Sequence, residues 1–186
     1  MASKAKAKSF GDYVKLAMEI VQLKGKSMDA VSKDKNAFKM AMLFIAIGGV
    51  ASAIGSFNPI GIILNPILAI VASFVGVGIL HLIAKLFGGK AKYQELYSVI
   101  GLASILQWIS IIPLLGMALG GIAGLWMMVV NVIAVKNMHK LSIGKAVIVV
   151  LIPVIIAVII AFLVALVVVA FFYNSGLMSS IMMGEV

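Results

Sequence analysis

His81, Gln107 and Asn131 are polar side chains set within long apolar stretches of this 186-residue chain, and any chemistry in those stretches would begin with them. An imidazole can take up a proton or bind a metal, and a carboxamide can both donate and accept hydrogen bonds. Counting from the flanking lysines puts His81 and Asn131 at similar depth, with Gln107 nearer the middle of its stretch. That placement predicts side chains turned toward neighbouring helices, each able to form an interhelical hydrogen bond of about 1 kcal/mol. A polar packing cluster is the favoured reading, and a pocket for a small polar solute comes second. Catalysis based on His81 or His139 is a distant third. No serine sits in a nucleophile elbow for either to activate, and His139 falls in a lysine-rich connection. The chain has no HExxH pair, no clustered metal ligands and no cysteine, and Gly88-Gly89-Lys90 is too short for a phosphate loop. No catalytic residue, cofactor or metal is therefore expected.

The elements that would carry these residues are five apolar runs, at about 37–57, 60–83, 97–116, 119–135 and 146–172. Each is long enough, at about 1.5 Å of helix rise per residue, to cross a hydrocarbon core of about 30 Å. The chain is 63% hydrophobic and 11% charged. Its mean hydropathy of +1.21 lies far from that of a soluble globular domain. The predicted fold is all-α and polytopic: five transmembrane helices, a cytoplasmic segment over 1–36 and an extracytoplasmic tail over 173–186. No Asp, Glu, Lys or Arg lies in the interior of any run. Proton-coupled transport and proteolysis by paired aspartates need such groups at depth, so both are disfavoured.

The 15 cations are all lysine and give a formal charge of +9. They occupy the N-terminal segment and the connections after the second and fourth runs. Phe57-Asn58-Pro59, Met117-Ala118 and the C-terminal tail have none. Positive residues collect on the cytoplasmic side, which predicts an N-in, C-out arrangement and, in a prokaryote, residence in the plasma membrane. Without arginine for bidentate contacts, and with lysines beside apolar runs, nucleic acid is not an expected partner. Nor is a cleavable signal peptide expected, because about 36 mostly polar residues precede the first run.

Ser9 to Leu23 reads as an amphipathic helix, with Phe10, Tyr13, Val14, Ala17, Ile20 and Val21 on one face. It would either lie on the anionic cytoplasmic leaflet or pack against the cytoplasmic helix ends; Lys15 and Glu19 stand four residues apart for a weak pair. Phe10, Tyr13 and Lys15, with Lys90, Lys92, Lys136 and Lys140, are the candidate membrane-surface or partner contacts. Lys24-Gly25-Lys26-Ser27 should end that helix, and Asn36 is placed to cap the first span. Gly48, Gly49, Ser52 and Gly55 form a small-residue face, and Gly116, Gly120 and Gly124 recur at intervals of four. Such faces allow close helix approach in lipid, and packing within the chain is favoured over contact between copies. Pro66 and Pro153 should kink or delay their helices. Tyr93 and Tyr97 suit the headgroup boundary, whereas Trp108 and Trp126 fall mid-span and suggest bulk filling between helices.

Several segments together resemble the Yip-one (Ypt/Rab GTPase-interacting protein) membrane family in its short archaeal or bacterial form. They are Leu86-Phe87-Gly88-Gly89-Lys90-Ala91-Lys92-Tyr93, Val99-Ile100-Gly101-Leu102-Ala103, Ile112-Pro113-Leu114-Leu115-Gly116 and Val135-Lys136-Asn137-Met138-His139-Lys140-Leu141-Ser142, with Lys145-Ala146 and Pro153 beyond. The resemblance implies five spans behind a cytoplasmic N-terminal segment. Eukaryotic members are implicated in vesicle traffic through small GTPases and through one another. Their long acidic N-terminal region with Asp-Leu-Tyr-Gly-Pro has no counterpart here, so GTPase binding is not carried over. The expected function is that of a non-enzymatic integral membrane scaffold or adaptor, whose partners are the lipid bilayer and other membrane proteins or a second copy. A small-solute permease lined by His81, Gln107 and Asn131 is the alternative, although no inverted repeat is seen.

Overall fold

A computed structural model describes residues 8–174, all of whose regular structure is helical. The order is α1 (Phe10–Val21), α2 (Gly25–Ser32), α3 (Ala37–Gly55), α4 (Gly61–Leu86), α5 (Tyr93–Ala103), a 3₁₀ helix (Ser104–Ile111), α6 (Leu115–His139) and α7 (Ile143–Asn174). The predicted tail over 173–186 lies almost wholly outside the described residues. Four helices are long and apolar enough to cross a membrane: α3, α4, α6 from Ala118, and α7 to Tyr173.

The amphipathic N-terminal helix forms where its pattern places it. The Ser9 hydroxyl accepts from the Asp12 amide at 3.2 Å, and the Asp12 carboxylate takes the Ser9 amide at 2.7 Å. This reciprocal box satisfies two amides that a helix start leaves free. Leu23, at φ 64°, closes the helix, and Lys24 N–H reaches back to Glu19 C=O. The chain then turns directly into α2, where the sequence suggested only a break. The Ser27 hydroxyl, rather than Lys15, is the partner recorded for the Glu19 carboxylate, at 2.6 Å.

α3 and α4 form an antiparallel hairpin. Phe57 takes a left-handed conformation, and the Asn58 side chain accepts from Gly61 N–H at 3.0 Å. Asn36 occupies the position before α3 but its side chain makes no capping bond. The small-residue face of α3 is used for close approach at Gly49 and Gly55. A Cβ on Gly49 would lie 2.7 Å from Pro66 backbone atoms, and one on Gly55 would collide with the Ser110 carbonyl. Pro66 stays inside a continuous α4, at the level where Gly49 lets the two backbones close.

The expected third span departs most from its sequence reading. Residues 97–116 do not form one helix. α5 starts earlier, passes into the 3₁₀ helix at Ser104, and the chain breaks at Ile112-Pro113-Leu114 before α6. Proline cannot donate to the preceding turn and pushes the residue before it to extended backbone. Ile112 accordingly has ψ 112°, and Leu114 turns at φ 64°. Gly116 therefore opens α6, and Met117-Ala118 lies in a helix instead of a turn.

Side-chain pairings give the directions. Phe38 meets Tyr97, Ala41 faces Gly101, Trp108 Nε1 donates to the Phe44 carbonyl, and Gly55 abuts Ser110. Both numbers rise together, so α5 and the 3₁₀ helix run parallel to α3 along its length. α4 is antiparallel to both, with Phe74 on Tyr97 and His81 on Tyr93. The core centres on Tyr97, Phe44, Ile20, Met28, Leu96 and Leu102, all with essentially no exposure. Tyr97 is thus no headgroup anchor: its hydroxyl shares a 2.8 Å hydrogen bond with Ser73 inside the bundle.

The chain divides into two units after Val150. The first turns of α7 add Ala146, Val149 and Val150 to the core of the first unit. The second unit begins at Leu151, continues α7 as an apolar helix with Pro153 inside it, and exposes most of its described side chains.

Candidate sites within the bundle

α1 packs into the helix bundle. Tyr13, Ala17 and Ile20 are buried, Phe10 stacks on Trp108 and tilts against Phe44, and Trp126 Nε1 donates to the Val21 carbonyl at 3.0 Å. Of the two settings open to this helix, its apolar face takes the protein one. Tyr13 is consequently withdrawn from the candidate surface contacts. Its hydroxyl donates to Asp34 at 2.9 Å, and Lys8 Nζ reaches the same oxygen at 2.6 Å. Phe10 is half exposed; Lys15, Lys90, Lys92, Lys136 and Lys140 are exposed, with Lys140 3.8 Å from Asp29.

The polar residues at depth are not gathered as the sequence suggested. His81 lies beside His139, ring centroids 5.1 Å apart, with Tyr93 edge-on at 5.8 Å. Gln107 is about fourteen residues from Tyr93 along the α5–3₁₀ path, which is over roughly 20 Å. It belongs instead to a cavity of about 350 Å³ lined by Gly48, Ser52, Ser110, Gly120 and Gly124 among others. A neighbouring cavity of about 100 Å³ shares Ser52 and Ser110. Asn131 stays partly buried, its Oδ1 without a hydrogen-bond partner.

His139, which the sequence reading set in a lysine-rich connection, lies instead in a helix. It is completely buried at the last turn of α6. A Cβ on Gly89 would collide with His139 Nδ1, and Lys90 N–H donates to the His139 carbonyl at 3.3 Å. Both ring nitrogens of His139 and Nδ1 of His81 are buried without hydrogen-bond partners. Among the described residues no group of three His, Cys, Asp or Glu is arranged to hold a metal. The pair is placed to clamp the Phe87–Lys90 turn against α6, and the signal for it was Gly88-Gly89 following a helix. Gly88, at φ 89°, makes the turn, and Gly89 makes the close approach.

Gly116 is closely packed, a Cβ there falling 2.8 Å from the Ser110 carbonyl. Gly120 and Gly124 are not, since an added Cβ on either meets nothing within 4 Å. The expectation of packing within the chain is thus corrected for two of the three glycines. The reason is the break at Pro113, which sets the start of α6 against the 3₁₀ helix and leaves the next turns bordering the larger cavity.

Long apolar helices around a helical core, with charged side chains kept to the N-terminal segment, the connections and the helix ends, define a multi-pass integral membrane protein. A family model described as the Yip1 domain matches residues 24–166, and the chain belongs to that family. No curated protein and no solved structure matches it.

Proposed function

We propose that this Yip1-domain protein is a non-enzymatic membrane scaffold that receives transmembrane helices of other membrane proteins. It threads the bilayer five times, with the N-terminal segment cytoplasmic and the C-terminus outside. The fifth crossing is the α5–3₁₀ segment. Eleven α-helical residues and eight 3₁₀ residues rise about 32 Å together, enough for a hydrocarbon core. Its parallel register with α3, from Phe38–Tyr97 to Gly55–Ser110, supports the same conclusion. The alternation of lysine-bearing and lysine-free connections supports the orientation.

The observation that carries the scaffold reading is the bare face of α6. Gly120, Gly121 and Gly124 would each tolerate a Cβ without a neighbour within 4 Å. In lipid, helices associate through small-residue faces and through interhelical hydrogen bonds, and Ser52 and Gln107 border this face with polar groups. The traffic role of eukaryotic relatives would come to this chain only as the same capacity to gather membrane proteins. In the test, Gly120→Leu and Gly124→Leu keep the melting temperature of the parent, because the added side chains enter open space. They are expected to lose most in-membrane photo-crosslinks formed from α6. Unchanged crosslinking would defeat the reading.

The cavity lined by Ser52, Gln107 and Ser110 favours one alternative, a permease for a small neutral solute. Uptake of such a solute into proteoliposomes, abolished by Gln107→Leu, would replace the scaffold by that function.

A further inference from the structure

The geometry points to a second site, at the corner where α3 and α5 begin: a seat for the phosphate of an anionic phospholipid in the leaflet on the N-terminal segment's side. A cavity of about 290 Å³ lies there, with Lys33, Lys35, Lys92 and Gln94 around it. All four side chains are exposed. Among the described residues the ion pairs are Lys8–Asp34 and Lys140–Asp29, so none of these three lysines is bridged to a carboxylate.

The two carboxylates of the same cavity are already engaged. Asp34 receives Lys8, the Tyr13 hydroxyl and the Asn36 amide, and Glu95 receives the Lys92 amide at 3.0 Å. With Lys8 included, four ammonium groups face two carboxylates, and the remaining field favours an anion. The backbone adds to it. Because α3 and α5 run parallel, both begin beside this cavity, and each start carries a partial positive charge. A phosphate meets here mobile point-charge donors and the Gln94 carboxamide.

A lipid is favoured over free phosphate by the wall beneath. Phe38 lines the cavity and packs on Tyr97 at 4.9 Å and on Phe74 at 6.0 Å, and Phe74 is exposed on α4. Basic groups above an exposed aromatic face match a phosphate attached to acyl chains. The inference rests on the membrane reading given above, but not on the scaffold role.

The test uses the full chain in neutral detergent, with native mass spectrometry counting bound phosphatidic acid against phosphatidylcholine. The variant Lys33→Gln/Lys35→Gln/Lys92→Gln should lower the phosphatidic acid adduct about fivefold or more, since each nearby lysine contributes separately. A control of equal charge at exposed lysines away from the cavity, Lys24→Gln/Lys26→Gln/Lys85→Gln, should change it less than about twofold. Equal losses in both, or no loss in the first, would overturn the site. Displacement of the adduct by millimolar inorganic phosphate would assign the corner to free phosphate and overturn the lipid. Should the triple variant fail to fold, each single variant is read instead, with about a twofold loss expected and none overturning the proposal. Release of the wild-type chain from membranes by alkaline carbonate would defeat the membrane reading itself, separately from the lipid assay.

Discussion

Asp34 sits in a four-residue polar linker and holds α1 to the rest of the protein through one carboxylate. Burial acts to raise its carboxyl, but hydrogen bonds from Lys8, the Asn36 amide and Tyr13, with the Lys8 charge, hold it below the ordinary value. A folded value below the unfolded one gives stabilisation that is complete above about pH 4 and is lost as pH falls through the folded value. Tyr13 is pushed up to about 12, first by burial and then by its bond to Asp34 and that residue's charge. Its contribution is whole below about pH 10 and is lost as pH rises toward the folded value. Docking of α1 should therefore be secure across neutral pH and weaken at both extremes. Tryptophan emission reports this, since Trp108 and Trp126 both touch α1. An acid step in emission is expected for the wild type, and Asp34→Asn should already show the shifted spectrum at neutral pH, its docking weaker by about 2 kcal/mol. Gly89→Ala should cost about 2 kcal/mol or more, read as a lower melting temperature, because its Cβ collides with His139 and lies 2.7 Å from the Ala84 carbonyl. Adding His139→Ala should restore part of that loss. The role of His139 is hidden in the sequence, because Lys136 and Lys140 make it look solvated although Val135 and Met138 carry the apolar stripe of α6 up to it.

Among the elements, α3, α4, α6 and α7 were legible because an uninterrupted apolar run of span length is rarely anything but a membrane helix. α1 was legible from its helical period, whereas its Ser9–Asp12 capping box came only with the structure. Its location was not, because the same amphipathic face suits a lipid surface and a protein groove equally well. α2 was missed: its eight residues, with the lysine and glycine around them, carry little apolar signal, and Met28 and Val31 become core only by packing under α5 and α6. The α5–3₁₀ segment was misjudged because Pro113 sits inside an apolar run whose composition continues unbroken through it. Ala17 is wholly buried on α1, so Ala17→Glu should expel this helix, since an unpaired buried carboxylate costs several kcal/mol. Limited proteolysis should then cut within residues 10–23 while the remaining helices stay intact in the membrane; an uncut α1 would show that it is held by something other than that face.

At the scale of the molecule, the absence of native cysteine makes topology directly measurable. Single cysteines substituted at Asn58 and Pro113 should react with an impermeant maleimide applied to intact cells, whereas those at Lys90 and Ser142 should react only after lysis. Labelling at Lys90 and Pro113 from the same side would leave four crossings and turn the α5–3₁₀ segment into a re-entrant element. Family membership was legible from motifs of glycine, proline and lysine, and a match over residues 24–166 takes in the N-terminal α2 as well as the apolar helices. Those same motifs turn the chain, and each has a place in the structure: Gly88-Gly89 against His139, Pro113 before α6, and Lys140 at φ 56° ending α6. They therefore report topology well and activity poorly.

The seat of α1 also orders events during synthesis. Phe10 rests on Trp108, and Val21 receives Trp126, so α1 contacts residues made about a hundred positions after it. Until α6 has been inserted, its apolar face has no place to go and must be shielded by the translocation machinery or the lipid surface. Nascent chains halted before Trp126 should keep that helix open to protease, and closure should follow release of the longer chain, making the N-terminus a marker of completed assembly.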